Sequence, residues 1–471
     1  MVTILDTELK KGIEQAIEKA KKRLVPVLVS EVQKVDHIEP LFFFAAGNEK
    51  YLGERFFWKE PTDETILVGL GICKQLQSVN GHNRYKETQT EWDSLINEAI
   101  ILKEQDKIGT GPVIFGGFSF DPLKEKTPLW SMYSDSLFQL PKYLLSMIDG
   151  QAYLTTNIIC TQHDQVSMID KVLEERQKIL VNTARSKQFT LSRLINEKEV
   201  VHPSEWKKTV QHLVEELMDG ELKKVVLARE LRLFFQEKVA VEGVIEHLLR
   251  EQKDSFTFAF ESNGDCFLGA SPERLVKKEK NNLFSTCLAG STARGKTDQE
   301  DLRLGEALLN DDKNLIEHQY VVDMIKEAME RACLEVQIPE KPTLMKIRDI
   351  QHLYTPVVGM AKPDSSLLEV VDALHPTPAL GGLPQKAAVE KIREMEELDR
   401  GFYAAPIGWL DYAGNGEFAV AIRSALIQDN EASLFAGCGI VKDSDAESEY
   451  VETKIKFRPM LSALGGLKKS E

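Results

Sequence analysis

Clustered strand-like runs, with longer helical stretches around them, are the feature that most constrains the fold of this chain. Short apolar runs typical of strands recur along its length, at 40–47, 66–71, 111–120, 152–159, 223–235, 255–260, 283–288 and within 402–440. Stretches with helical period are fewer and longer, at 164–197, 311–333 and 444–464. Strands in groups, with helices gathered around them, predict an α+β fold whose sheets are largely antiparallel.

The length of the chain and one break in its pattern indicate how this fold is organised. The 471 residues leave room for two or three domains of ~100–200 residues each. The helical period of 164–197 gives way to His202-Pro203, where proline interrupts the pattern. We therefore predict an N-terminal region over residues 1–200, packed as part of the same fold, and a catalytic region over residues 201–471.

Charge, cysteine usage and hydropathy exclude several classes of protein. The formal net charge of −15, with no basic stripe to offset it, argues against a nucleic-acid partner. The six cysteines have no CxxC spacing, which is typical of reduced thiols in a cytoplasm. The N-terminus lacks the apolar segment of a signal peptide, and no run approaches the ~20 apolar residues of a membrane span. We predict a soluble cytoplasmic protein with no membrane partner.

The segment ESEYVETKIKF near the C-terminus brings two acids and a lysine onto one helical face. Glu449, Glu452 and Lys456 are spaced i, i+3 and i+7. Two carboxylates at this spacing repel each other unless a cation lies between them, and Mg²⁺ prefers carboxylate oxygens together with an anionic substrate group. The alternative is a solvated helix face with an ordinary Glu–Lys pair. Ser444 and Glu447 have the spacing of a capping box at the start of this helix.

Two other segments place charged side chains beside apolar ones. In KNLIEHQYVVDMI, Glu317 borders the apolar face of a helix and is a candidate oxygen ligand, whereas His318 is more typical of a packed residue. In ELKKVVLARELRLFF, strand period directs either Lys223 or Lys224 into apolar surroundings. Desolvation lowers the pKa of a lysine and makes it a usable base near neutral pH. A lysine that extends to water from the strand end is the alternative.

Two isolated side chains and three glycine-rich turns complete the set of candidates. Glu273 follows Ser-Pro in FLGASPERLV, where it is either a proton donor with a raised pKa or the first-turn acid of a helix. Arg423 alternates with apolar residues in AVAIRSAL and needs an anion, structural or substrate. Turns at 288–295, 379–384 and 436–441 match neither a dinucleotide nor a P-loop pattern, but their N–H groups can bind a carboxylate.

The order and wording of these segments resemble the motif series of the chorismate-binding enzymes. This family contains isochorismate, salicylate, anthranilate and aminodeoxychorismate synthases. The resemblance covers about residues 200–464, in the motifs KVVLAR, FLGASPERL, LAGSTARG, IEHQYVV, RDIQHL, HPTPALGG, GFYAAPIGW, AIRSAL, AGCGIV and EYVETKIK. It implies the chorismate-binding-enzyme fold, chorismate as the small-molecule substrate and Mg²⁺ as the cofactor.

The resemblance also implies roles for individual residues. Lys224 would be the general base that activates water, and Glu273 the general acid that protonates the departing hydroxyl. Mg²⁺ would be held by Glu317, Glu449 and Glu452. The substrate would be bound by Gly290, His352, Ala379, Leu380, Tyr403, Arg423, Gly437, Gly439 and Lys456.

Three positions resemble the isochorismate synthase branch of that family. Ala289 stands where aminodeoxychorismate synthases have a nucleophilic lysine, so the resemblance excludes a covalent lysine adduct there. Salicylate synthases have threonine at the position of Ala379, and Ala379 with Leu380 resembles the isochorismate synthase pattern. No glutaminase domain is present, and no glutaminase subunit is expected.

The remaining alternatives concern pathway and turnover. The long N-terminal region resembles menaquinone-pathway enzymes more than the shorter siderophore type. A siderophore-pathway isochorismate synthase, a salicylate synthase, an ammonia-using relative and a binding module without turnover are the alternatives. A monomer or loose homodimer is expected.

Overall fold

The computed structural model of the chain describes residues 4–466 apart from residues 79, 80, 82, 104, 105, 186, 187, 348 and 349. Eleven α-helices lie within these residues: α1 (Ile4–Arg23), α2 (Pro40–Ala46), α3 (Arg84–Asn97), α4 (Met168–Thr183), α5 (Pro203–Asp219), α6 (Val241–Glu251), α7 (Asp298–Leu309), α8 (Asp312–Ala332), α9 (Leu367–Leu374), α10 (Gln385–Met395) and α11 (Ala446–Ala463). The same residues form 21 strands: β1 (Val27–Val35), β2 (Arg55–Lys59), β3 (Thr65–Ser78), β4 (Ile100–Leu102), β5 (Val113–Phe118), β6 (Ser136–Ile148), β7 (Gln151–Cys160), β8 (Leu194–Glu199), β9 (Lys224–Phe235), β10 (Phe256–Ser262), β11 (Asp265–Ser271), β12 (Arg274–Glu279), β13 (Asn282–Ala293), β14 (Cys333–Gln337), β15 (Thr343–Lys346), β16 (Ile350–Ala361), β17 (Gly382–Leu383), β18 (Pro406–Asp411), β19 (Gly416–Val420), β20 (Ser424–Gln428) and β21 (Glu431–Ile440).

Strand pairing is antiparallel nearly throughout, which confirms the predicted α+β class. Within the described residues the one parallel pair is β1 with β4. Two ladders extend from the long β3–β6 pair. The β16 ladder runs from β6 through β5, β18, β19, β12 and β13 to β16. The β9 ladder runs from β3 through β2, β10, β11, β20 and β21 to β9.

The chain crosses between the two ladders at two short connections that matter for the site. It passes from the β9 ladder to the β16 ladder between β11 and β12, through Pro272 and Glu273. It returns between β19 and β20, through Ala421 to Arg423. Each connection is only two or three residues long, so its side chains lie where the two ladders meet.

The core between the ladders is rich in aromatic side chains. Phe56 of β2 stacks on Phe115 of β5, with ring centroids 4.6 Å apart. Trp58 contacts both Phe115 and Phe256, with ring centroids 5.9 Å and 5.2 Å away. All of these rings are buried, and offset or tilted packing of this kind stabilises aromatic pairs.

Strands on both sides of residue 200 pair with each other. From the earlier part of the chain, β2 pairs with β10 and β5 pairs with β18. The division at residue 200 falls in the segment between β8 and α5, and it stays a prediction. No helix in the described part of the chain is long and apolar enough to cross a membrane.

Two predicted elements were wrong in type. The run 40–47 is the helix α2, with Pro40 at its first position and six of its seven residues buried. Because it is buried almost all round, its apolar residues show no period that separates a helix from a strand. The predicted helical stretch 164–197 contains α4 but then continues into β8, which pairs with β9.

Candidate active site

Lys224 begins β9 and points into the protein, whereas its neighbour Lys223 is exposed. Only 9% of Lys224 is accessible, and its Nζ donates to Glu317 of α8. A Cβ on Gly439 of β21 would overlap Cε of Lys224 and lie 3.0 Å from its Nζ. The structure thus selects Lys224 of the two lysines, and glycine at 439 leaves the space that its side chain occupies.

Glu273 lies in the connection between β11 and β12 and is almost fully buried, with 8% of its surface accessible. Burial raises the pKa of the Glu273 carboxyl to about 7, although the charges of Arg423, Lys224 and Lys456 act to lower it. Its carbonyl oxygen accepts from the N–H of Val420 at 3.0 Å, which ties the connection to β19. A carboxyl with a pKa near neutrality can donate a proton at physiological pH.

The helix α11 carries the acidic face predicted near the C-terminus. Lys456 Nζ lies 2.6 Å from Oε1 of Glu452 and donates to the carbonyl of Gly437 at 2.9 Å. Burial raises the pKa of Glu449, and the negative charge of Glu452 adds to this effect. Burial also acts to raise the pKa of Glu452, but Lys456 and Arg423 outweigh it and the net shift is downward.

Ser444 belongs to this acidic face instead of capping the helix as predicted. Its hydroxyl donates to Oε1 of Glu449 at 2.7 Å. The residue before the helix is Asp445, whose side chain accepts from the N–H of Ser448 at 2.9 Å. The capping-box interpretation was therefore wrong by one residue, because serine and aspartate cap equally well and both occur here.

His318, next to Glu317, is a packed residue. Its ring nitrogens lie 2.9 Å from the carbonyl oxygen of Ala289 and 2.7 Å from Oγ1 of Thr355. Burial lowers the pKa of the His318 ring. The histidine therefore joins α8 to β13 and β16 and is unsuited to metal binding, as the sequence indicated.

Arg423, Tyr403 and Gly437 lie around the same site. Arg423 has a left-handed backbone with φ of 51°, and its carbonyl accepts from Ala270 at 3.1 Å. A Cβ on Gly437 would lie 3.3 Å from the hydroxyl of Tyr403. Burial raises the pKa of that hydroxyl, so Tyr403 presents a neutral phenol.

His352 and Gly290 approach from the β16 ladder. Burial, with the charges of Arg423 and Lys456, lowers the pKa of His352 to about 3, so its ring is neutral near pH 7. Its Nε2 is buried and has no hydrogen-bond partner among the described residues. Gly290 has φ of 79° at a bulge in β13, and a Cβ there would lie 3.1 Å from Oδ1 of Asn314.

The turn that holds Ala379 and Leu380 lies beside β9. Leu380 donates to the carbonyl of Thr377 at 2.9 Å. The following residues form β17, whose Gly382 and Leu383 pair with Val225 and Lys224. The turn is thus attached to the strand of Lys224. Among the described residues, no hydrogen bond joins Ala379 to the other candidate residues.

Three carboxylates could hold a metal ion, and two of them are paired with lysines. Glu317 binds Lys224 and Glu452 binds Lys456. Across the described residues, no three His, Cys, Asp or Glu side chains are already arranged around one point as a metal site. The donor type nonetheless fits Mg²⁺, which binds oxygen ligands, and the repulsion that Glu449 feels from Glu452 is what a cation would relieve.

Glu396 and Arg400 are the residues of this region that the sequence did not single out. Arg400 is 3% accessible and forms an ion pair with Glu396. The two charges stand before the motif GFYAAPIGW in a segment without helical or strand period. Nothing local to that segment indicates that both side chains are buried.

Comparison with known proteins places the chain among relatives of its own length. A family described as chorismate binding enzyme matches residues 15–465, so the match includes most of the N-terminal region. The isochorismate synthase MenF of Bacillus subtilis is 42% identical over 471 residues, which cover 99% of each chain. The salicylate biosynthesis isochorismate synthase of Pseudomonas aeruginosa is 34% identical over 98% of this chain and 95% of that one.

A solved structure has the same overall arrangement. That of MenF, the menaquinone-specific isochorismate synthase from Escherichia coli, is similar with a TM-score of 0.77 at 25% identity. The alignment covers 96% of this chain and 100% of that chain.

Proposed function

Since this chain belongs to the family of chorismate-binding enzymes, we propose that it is an isochorismate synthase. Relatives that match over nearly the whole chain carry that name. The reaction converts chorismate reversibly into isochorismate. Water adds at C2 of the ring, the double bonds shift and the C4 hydroxyl leaves as water, so the overall composition does not change.

The observation that carries this proposal is a buried carboxyl with a pKa of about 7, Glu273, in the field of a buried lysine, Lys224. The reaction needs a base where water adds and an acid where hydroxide leaves, and these are different ring carbons. Lys224 on β9 and Glu273 on the connection between the ladders come from separate elements. Two groups of opposite function on separate supports match that requirement.

The proton transfers follow from these roles. Lys224 takes a proton from the attacking water, and Glu273 gives its proton to the departing hydroxyl. With a pKa of about 7, a substantial fraction of Glu273 is protonated near neutral pH. In the reverse direction the two residues exchange roles, which agrees with a reversible reaction.

The cationic and neutral donors of the site would bind the substrate's carboxylates. Arg423 offers a fork suited to a carboxylate, and Tyr403 and His352 present groups that burial keeps neutral. Lys456 lies against Gly437 at the same end. Gly290, Ala379, Leu380 and Gly439 would complete the lining.

We propose that Mg²⁺ is the cofactor, held by Glu317 and Glu452, with Glu449 binding directly or through water. Bound Mg²⁺ would supply electrophilic stabilisation to a ring carboxylate. The support is the donor set, since three carboxylates lie on α8 and α11 and two of them are ion-paired with lysines. Lys224 and Lys456 would give up those carboxylates to the cation.

Water, not a protein amine or ammonia, is the nucleophile in this proposal. Ala289 is buried at the position where a lysine adduct would form and cannot form one. Ala379 and Leu380 place no hydroxyl beside the ring to promote loss of pyruvate. The alternative functions are those of a salicylate synthase, an ammonia-using enzyme and a binding module without turnover.

Menaquinone biosynthesis is the pathway that we propose. The relative with 42% identity and the solved structure with a TM-score of 0.77 are both MenF. Chain length does not decide this, because the salicylate-pathway relative also aligns over 98% of this chain. We further propose a cytoplasmic monomer or loose homodimer, in agreement with cysteines that are all free.

Product analysis tests the proposed function. The purified protein is incubated with chorismate, with Mg²⁺ or with a chelator, and the products are separated by chromatography. We expect isochorismate with Mg²⁺ and none with the chelator. Salicylate with pyruvate, a product that requires ammonia, or no turnover would each contradict the proposal, and turnover in the chelator would contradict the cofactor alone.

A further inference from the structure

We propose that Arg400, with its partner Glu396, is a positioning residue for this reaction. It sets the strand of Lys224 against the turn that contains Leu380. The inference rests on the proposed function, because it concerns how Lys224 is placed for its role as a base. Among the described residues, the Arg400 side chain forms no hydrogen bond or ion pair with Lys224 or Glu273, the groups that would exchange protons with the substrate.

One edge of β9 loses its neighbouring strand after Val225. On one side β9 pairs with β21 along most of its length. On the other side β17 covers only residues 224 and 225, and β8 begins at 231. Residues 226–230 therefore have no neighbouring strand on that edge, where the N–H of Val226 donates to the carbonyl of Gly381 at 2.9 Å and the carbonyl of Glu230 accepts from the N–H of Val200 at 3.2 Å.

Between these two backbone contacts, the side chains of Arg400 and Glu396 bond to β9. Arg400 Nη2 donates to the carbonyl of Val226 at 2.8 Å, and its Nη1 donates to the carbonyl of Leu380 at 3.1 Å. The N–H of Ala228 donates to Glu396 Oε1 at 2.6 Å, and Arg400 Nε donates to the same carboxylate at 2.8 Å. One guanidinium therefore joins the strand of the base to the substrate-side turn.

Burial makes this arrangement rigid. Arg400 and Glu396 are 3% and 7% accessible, and the guanidinium lies 4.2 Å from the ring centroid of Phe120. A buried, fully bonded guanidinium holds a fixed direction because its donors form a planar fork. Lysine in its place keeps the charge beside Glu396 but cannot bridge both carbonyls in the same way.

The contacts predict that loss of the Arg400 side chain lowers kcat much more than it changes KM. The Arg400 side chain holds the carbonyls of Val226 and Leu380, so its loss displaces the base, whereas the Leu380 turn keeps its backbone bonds from Val226 to Gly381 and from Leu380 to Thr377. The carboxylate-binding groups are held elsewhere: Tyr403 bonds to the backbone carbonyl of Arg400, which every variant retains, and Lys456 bonds to Gly437. Small displacements of a catalytic group reduce turnover strongly.

A matched control lies seven residues earlier. Arg393 forms a similar two-bond pair with Asp121, at 2.6 and 3.0 Å, and within the described residues its side chain forms no hydrogen bond or ion pair with β9 or the Leu380 turn. Steady-state kinetics with chorismate and Mg²⁺, together with thermal unfolding, are measured for the wild type, Arg400→Lys, Glu396→Gln and Arg393→Lys. The wild-type measurement tests the proposed function separately from the variants.

We expect Arg400→Lys to lower kcat at least about tenfold and to change KM less than about threefold. Arg393→Lys is expected to keep both constants within about twofold and, because its ion pair is less buried than that of Arg400, to lose less thermal stability. Three results would overturn the assignment. They are a wild-type kcat in Arg400→Lys, a change in KM as large as the change in kcat, and an equal loss of kcat in Arg393→Lys. If Arg400→Lys does not fold, the same criteria apply to Glu396→Gln, which can still accept from Ala228.

Discussion

At the scale of single residues, the site depends on two ionisable groups in unusual surroundings. Strand period alone does not distinguish Lys224 from Lys223. The structure buries it against Gly439 and leaves Lys223 exposed. For Glu273 the sequence left two interpretations, a proton donor and the first-turn acid of a helix. Its burial in a connection without helical structure favours the first.

Replacement of Lys224 tests the base directly. Lys224→Ala is expected to reduce isochorismate formation by about 10²-fold or more, because a positioned base typically contributes that much. The fold should be retained, since the change removes a side chain whose partner Glu317 can reach water. Circular dichroism and product formation are compared with Lys223→Ala, which removes the adjacent exposed lysine. Near-wild-type turnover in Lys224→Ala would reject the base assignment.

The raised pKa of Glu273 predicts a pH dependence of both rate and stability. The acid must be protonated, so kcat/KM is expected to fall as pH rises above about 7. The free energy of unfolding is also expected to fall as pH rises. Below the ordinary pKa of 4.5 both folded and unfolded states are protonated, and the penalty of a buried carboxylate develops as pH rises to about 7.

Glu273→Gln removes that penalty. At ~1.4 kcal/mol per pKa unit, the variant should gain about 3 kcal/mol of unfolding free energy relative to the wild type at pH 8, and little at pH 4. Urea unfolding at the two pH values measures the difference. The exposed Glu246→Gln is the control and should show no such change between pH values. An equal effect of Glu273→Gln at both pH values would contradict the raised pKa.

At the scale of elements, what the sequence could predict depended on how local the signal was. The acidic face of α11 and the strand β9 follow from periods within a few residues, and both were predicted. The helix α2 was missed because its short run is apolar on nearly every face. Arg400 could not be found, because its role depends on an open edge of β9 that only the pairing of distant strands creates.

The contact between β9 and β21 yields a prediction of its own. Gly439→Ala would place a methyl group on the side chain of Lys224, so kcat should fall by about 10²-fold, as for a misplaced catalytic group. The overpacking should also reduce stability by about 1–3 kcal/mol. Gly414→Ala is the control, because its Cβ meets no atom within 4 Å and only strains the backbone. Unchanged kcat in Gly439→Ala would contradict the prediction and would show that the Lys224 side chain can adopt another position.

At the scale of the whole molecule, residues from both sides of position 200 form one set of ladders. A chain limited to residues 201–471 would lose the partners of β10 and β18, namely β2 and β5. It would also expose the faces that Trp58 and Phe115 cover. We expect this fragment to be unfolded or aggregated, as measured by near-ultraviolet circular dichroism and size-exclusion chromatography beside the full chain. A soluble, cooperatively unfolding fragment would establish an independent domain.

The general class of fold was accessible from clustered strand signals, but the ladders were not. Local periodicity does not show that β6 pairs with β3, β5 and β7. Nor does it show that Glu273 and Arg423 occupy the two short connections between ladders. Their convergence on one site was indicated only by resemblance to a family.

Those two connections have a consequence for how the enzyme's rate can change. Lys224 lies on the β9 ladder, whereas Glu273 is joined to both ladders. The distance between Lys224 and Glu273 therefore depends on how the two ladders pack on each other. The two ladders pack on each other through the aromatic layer around Phe56 and Phe115, which contains none of the candidate site residues. Conservative exchanges in that layer are therefore a means of tuning turnover from a distance, and natural or laboratory selection for rate should find them there.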